Sequence, residues 1–73
     1  MYRNLIAELA RKGIKRKQLA EALGIAGSGL YNRLQGYTKK DFSDAEKHYI
    51  CNMLGMEPTE EVYGYLFARW PAA

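Results

Sequence analysis

The chain has one cysteine, Cys51, so it cannot close an internal disulfide. Packing alone must hold it together, which suits a reducing cytoplasm. It also has one histidine, His48, three residues before Cys51. The two could share a helix face, but two ligands do not make a zinc site. As a catalytic dyad they lack the pocket that enzyme chemistry needs and so short a chain can hardly form. No metal, cofactor or small-molecule ligand is therefore expected. Runs of about 18 apolar residues are absent, and no signal-peptide core follows Met1-Tyr2-Arg3-Asn4, which argues against a membrane span or secretion. Alternating apolar and polar runs long enough for a strand are missing too. At 73 residues a barrel or doubly wound sheet does not fit, and folding buries only about 60% of the extended chain's surface.

Acidic residues are scarce in the first half. Residues 1–40 hold nine lysines and arginines against Glu8 and Glu21, a net of +7. Residues 41–73 hold two bases against six acids, a net of −4. Such a split implies one end that seeks polyanions and one that avoids them.

What is present reads as helices separated by glycines, an all-α bundle of four or five helices in a single domain over 1–73. The spacing predicts a first helix over about 2–12 with Leu5, Ile6, Leu9 and Ala10 inward. Lys12-Gly13 ends it, a base in the last turn and then a residue free to take positive φ. A second helix over 16–23 turns Leu19, Ala20 and Leu23 inward, and Gly24 breaks it. A third over 27–35 turns Leu30 and Leu34 inward, and Gly36 stops it. Ser43 and Glu46 form a capping box for a fourth helix over 43–54, where each side chain satisfies a free backbone N–H. Phe42, Ala45, Tyr49, Ile50 and Met53 are its expected inner face. A last helix over 59–69 carries Val62, Tyr63, Leu66, Phe67 and Trp70, with Pro71 as its stop. Gly24-Ile25-Ala26-Gly27-Ser28-Gly29 looks superficially like a phosphate loop. It follows a helix rather than a strand and lacks the Gly-Lys-Ser/Thr ending, so it reads as a turn.

Residues 16–36 carry the functional signal. Two helices of about eight residues meet at Ala22-Leu23-Gly24-Ile25, with Leu19, Leu23, Ile25, Leu30 and Leu34 pointing into a shared core. This is a helix-turn-helix arrangement, which leaves its second helix protruding and thin enough for a DNA major groove. Gly13-Ile14, then Gln18-Leu19-Ala20-Glu21-Ala22-Leu23-Gly24-Ile25, then Leu30 and Gly36, resemble the Cro and phage-repressor (XRE-like) helix-turn-helix family. The resemblance covers residues 3–55. It implies the lambda-repressor-like fold, operator binding, usually as dimers, and a role as a bacterial or phage transcriptional regulator. The chain differs from the family pattern in three places. Lys15 stands where Ser or Thr often caps the second helix, Arg16 replaces the common Gln, and the third helix begins Ala26-Gly27-Ser28-Gly29.

With Leu30 and Leu34 inward, Ser28, Asn32 and Gln35 fall on the opposite face of the third helix, flanked by Tyr31 and Arg33. Asn and Gln can bond adenine in a bidentate pair, and Ser can serve either strand. Ser28 and Asn32 are the expected base readers, with Gln35 and Tyr31 near the edge. The family resemblance adds Gly27, which can contribute only close approach. Phosphate contacts are expected from Arg16 and Lys17 at the second helix, from Lys39, Lys40 and Thr38 after the third, and from Arg33. Clustered aromatics near the C-terminus, Tyr65, Phe67 and Trp70, suggest a dimer surface. The expected partners are double-stranded DNA and a second copy of the chain. The rival expectation is a protein-binding module that keeps this fold without reading DNA, since Gly27 and Gly29 offer few groups to bases.

Overall fold

In the computed structural model, which describes residues 1–70, five helices follow one another in chain order. They are α1 (Arg3–Arg11), α2 (Arg16–Leu23), α3 (Gly27–Gln35), α4 (Asp44–Leu54) and α5 (Glu60–Leu66). The described residues contain no strand, so the chain is all-α. No helix among them is long and apolar enough to cross a membrane.

Local chemistry accounts for most helix ends. Gly24 closes α2 at φ 69°, a left-handed conformation that costs glycine nothing. The Ile25 N–H then reaches back to the Ala20 carbonyl at 3.0 Å, satisfying a free acceptor of the last turn. Ser43 Oγ accepts from the Glu46 N–H at 3.2 Å while Glu46 Oε1 accepts from the Ser43 N–H at 2.8 Å, the reciprocal box expected for α4. Thr59 caps α5 through the Val62 N–H.

The core gathers Leu5 and Leu9 from α1, Leu19 and Ala20 from α2, Leu30 and Leu34 from α3, Ile50, Cys51 and Leu54 from α4, and Leu66 from α5. Tyr2 and Phe42, both outside helices, complete it. Tyr2 is fully buried and is held by several contacts. Its N–H donates to the Leu34 carbonyl at 2.9 Å and its hydroxyl donates to Asp41. Its ring meets Phe42 at 5.3 Å and Phe67 at 6.4 Å between centroids. Beside this contact, Gly36 takes φ 78°, and a Cβ there would stand 2.6 Å from the Met1 nitrogen. That position therefore requires glycine twice over, for its backbone conformation and for the space.

Several expectations need correcting. On α4 the inward set is Ile50, Cys51 and Leu54, with Met53 half-buried, whereas Ala45 and Tyr49 are exposed. The inner face is rotated by about one residue, because Phe42 packs from the preceding loop rather than from the helix. His48 is exposed and Cys51 fully buried, so the two do not share a face. Burial also pushes the Cys51 thiol above its ordinary range. The last helix stops at Leu66 rather than 69, so Trp70 lies beyond it. The Trp70 N–H donates to the Met1 carbonyl at 2.8 Å, and its carbonyl accepts from the Met1 ammonium, which ties the end of this segment to the start of the chain. Pro71 lies outside the described residues.

Candidate nucleic-acid interface

α3 stands as a ridge because its inner face is apolar and its outer face is not. Leu30 is fully buried and Leu34 nearly so, while Ser28, Tyr31 and Asn32 are exposed. One open hollow lies between this ridge and α2, walled by Arg16, Lys17, Gly27, Ser28, Tyr31 and Asn32. A second hollow lies on the other flank, walled by Ala26, Gly29, Asn32, Arg33, Thr38 and Lys40. Asn32 borders both, so it sits at the crest with basic residues on each side. Lys39 is exposed beside Lys40. Glu21 also lines the first hollow and is the one acid among its lining residues.

The two helices that frame the first hollow, like α1, begin differently from α4 and α5. Ser43 and Thr59 cap α4 and α5 with side-chain oxygens, but Lys15 and Ala26 supply no side-chain cap to α2 and α3. Gln18 satisfies the Lys15 N–H at 2.8 Å. The first-turn N–H groups of α2 and α3 thus keep their donors, and with them the positive end of each helix dipole.

Base candidates separate into two groups. Ser28 and Asn32 lie together on the ridge, and Gly27 opens its first turn. Gln35 is half-buried and lines a different groove, an apolar one with Ile6, Leu9, Ala10 and Ile14. Tyr31 is 37% exposed but its ring is engaged: the Arg16 guanidinium carbon lies 4.7 Å from the ring centroid. Tyr37 approaches the ring from another side at 6.2 Å, edge-on.

Arg33 is the main correction among the phosphate candidates. It is 8% exposed, and its Nη1 donates to both oxygens of Glu46 at 3.2 Å. Its guanidinium also lies 5.1 Å from the Phe42 ring. A buried charge is tolerated only when paired and hydrogen-bonded, and Arg33 is both. Helical spacing carried this signal: Arg33 follows Leu30 by three residues and precedes Leu34 by one, which puts it on the inner arc. The Glu46 carboxyl is held below the usual range, first by the Ser43 N–H and then, against the cost of burial, by Arg33.

The aromatic C-terminal segment also divides. Phe67 is half-buried against the core, 5.9 Å from Phe42 and 5.7 Å from Tyr63, so it is not a surface anchor. Tyr65 is partly exposed, yet its hydroxyl donates to Glu8 at 2.8 Å and its carbonyl accepts from Asn4 at 2.9 Å, fastening α5 to α1. Trp70 is half-buried. Arg11 is occupied by Glu8 in an exposed pair. Asp41 was not singled out by spacing. Burial pushes its carboxyl up, but the Tyr2 hydroxyl, the Phe42 N–H and the charges of Lys47 and Arg69 outweigh this and hold it below its ordinary range.

The residues that come together are Arg16, Lys17, Ser28 and Asn32, with Thr38 and Lys40 opposite. Acids Asp44, Glu57, Glu60 and Glu61 are exposed but line neither hollow. Comparison with models of known protein families, with curated proteins and with solved structures finds no match to this chain.

Proposed function

We propose that this chain binds double-stranded DNA with sequence preference, inserting α3 into the major groove, and that it acts as a transcriptional regulator of the bacterial or prophage repressor type. In this reading α2 and α3 are the helix-turn-helix of a lambda-repressor-like domain. The observation that carries it is the exposed crest of Asn32 between two hollows with basic walls. A helix that reads bases needs phosphate contacts on both flanks to hold its register. Arg16 and Lys17 supply one flank, helped by the uncapped start of α2. Lys39, Lys40 and Thr38 supply the other. Asn32 and Ser28 have the donors and acceptors that base edges recognise. Arg33 drops out of the contact set, because it serves the core.

Two copies on a palindrome would set their α3 helices about 34 Å apart on one DNA face. Of Tyr65, Phe67 and Trp70, Tyr65 is the exposed one, with Phe67 committed to the core and Trp70 half-buried. Sedimentation of the free chain and of its duplex complex tests this.

Four neutralised phosphates per chain imply a fall of log K with log salt at a slope of about −3.6. Titrating a duplex at several salt concentrations measures it, and selection from a random duplex pool tests base preference. An enriched palindrome with that slope for each bound chain, about −7 for two copies, supports the proposal. Salt-sensitive capture without enrichment would leave only non-specific binding. No binding at all would favour the second reading, a protein-binding module, which is supported by the absence of side chains at Gly27 and Gly29.

A further inference from the structure

Four cations lie over aromatic rings among the described residues. Arg33 on Phe42, Lys47 on Phe67 and Arg69 on Tyr2 all cover rings of the core cluster. The fourth, Arg16 on Tyr31 at 4.7 Å, lies on the surface, at the wall of the hollow between α2 and α3. Core stability gives the first three a sufficient reason to exist. It gives none for the fourth, since Arg16 and Tyr31 are both exposed.

Geometry fixes the ring more firmly than its exposure suggests. Tyr37 meets it edge-on at 6.2 Å, and Tyr31, like Arg16, also lines the apolar groove with Ile6, Leu9 and Leu34. Arg16, by contrast, has a long flexible stem and pairs with no carboxylate among the described residues. Attraction to a ring face draws on the charge of a guanidinium and leaves its N–H fork available. That fork matches two phosphate oxygens at once.

We propose that Tyr31 is a positioning residue that holds the Arg16 guanidinium at the edge of the hollow, ready for a DNA backbone phosphate, and that Tyr31 does not itself read a base. This rests on the DNA-binding reading above. The ring restricts Arg16 before DNA arrives, so less freedom is lost on binding. The phenolic hydroxyl plays no part.

The test is a double-mutant cycle on a duplex enriched by selection with the wild-type chain. Tyr31→Ala should weaken binding about 2- to 5-fold, the worth of an exposed cation–ring contact. Tyr31→Phe should match the wild type. In an Arg16→Gln background, Tyr31→Ala should have no further effect, and base preference should be unchanged in every variant. In the free protein, the Arg16 side-chain protons should show a ring-current shift that Tyr31→Phe keeps and Tyr31→Ala abolishes. Equal effects of Tyr31→Ala with and without Arg16, an altered base preference, or loss of affinity in Tyr31→Phe would each overturn the proposal. A wild-type chain that fails to bind any duplex would remove the DNA reading and this inference with it. A wild-type chain that binds with no coupling between the two residues would remove this inference alone.

Discussion

Replacing Gly27 and Gly29 by alanine should raise the stability of the fold and lower its affinity for DNA. Both residues sit in the first turn of α3, and neither has positive φ. A Cβ built on either meets nothing within 4 Å, so no contact inside the chain requires glycine there. Alanine in a helix is favoured over glycine by about 0.5–1 kcal/mol, mostly through the entropy of the unfolded chain. The double variant should therefore gain about 1–2 kcal/mol, and each kcal/mol raises Tm by roughly 4–8 °C in a domain of this size. On DNA the sign reverses. The two methyl groups would stand on the surface proposed to meet the groove, and forcing such groups into a close-packed contact costs about 1–3 kcal/mol. That corresponds to a Kd weaker by roughly 5- to 150-fold. Gly64 in α5 is the control: it too is helical with nothing within 4 Å, but it lies away from both hollows. Gly64→Ala should stabilise and leave affinity unchanged. Thermal unfolding followed by circular dichroism and duplex titration at fixed salt measure both quantities. Stabilisation with unaltered affinity would refute close approach of DNA at this turn. Failure to stabilise would refute the helical start of α3.

Arg33→Ala should cost about 2–4 kcal/mol in urea unfolding, because Glu46 is left partly buried without its partner. The salt slope of DNA binding should not change, whereas Lys40→Ala should reduce its magnitude by about 0.9. Asn32→Ala should leave stability within about 0.5 kcal/mol, since the residue is exposed, and should relax base preference in a pool selection. Stability should also depend on pH at both extremes. Asp41 and Glu46 have carboxyls held low in the fold, so their contribution is complete above the ordinary carboxylate range, about pH 4, and is lost as pH falls below it. Tyr2 is shifted the other way. Burial and then Asp41 raise its hydroxyl well above the ordinary tyrosine value, so stability should fall as pH rises past about 10, and Tyr2→Phe should lessen that fall. Tm measured from pH 2 to 11 checks both signs.

The number of helices and most of their boundaries were legible in the chain, because the signals that set them are local. Gly24, Gly36 and Gly55 end helices at positive φ, and Ser43 with Glu46 starts one, through contacts spanning five residues or fewer. Leu30 and Leu34 turned inward as their spacing requires, and Asn32 and Ser28 faced out. The basic flanks followed from the same arithmetic. What only tertiary structure decided are the places where a residue had two reasonable fates. Arg33 could have reached a phosphate, but Glu46, 13 residues further on, drew it inside. Phe67 could have faced a partner, but Tyr2 and Phe42 from distant segments made a pocket for it. Tyr2 became a centre of the core through Leu34 and Asp41, and nothing near it in the chain foretold that. Helix caps depend on backbone groups within one turn and can be read from neighbours. The fate of an arginine or an aromatic depends on which side chains the other helices bring alongside, and that is known only once they have packed.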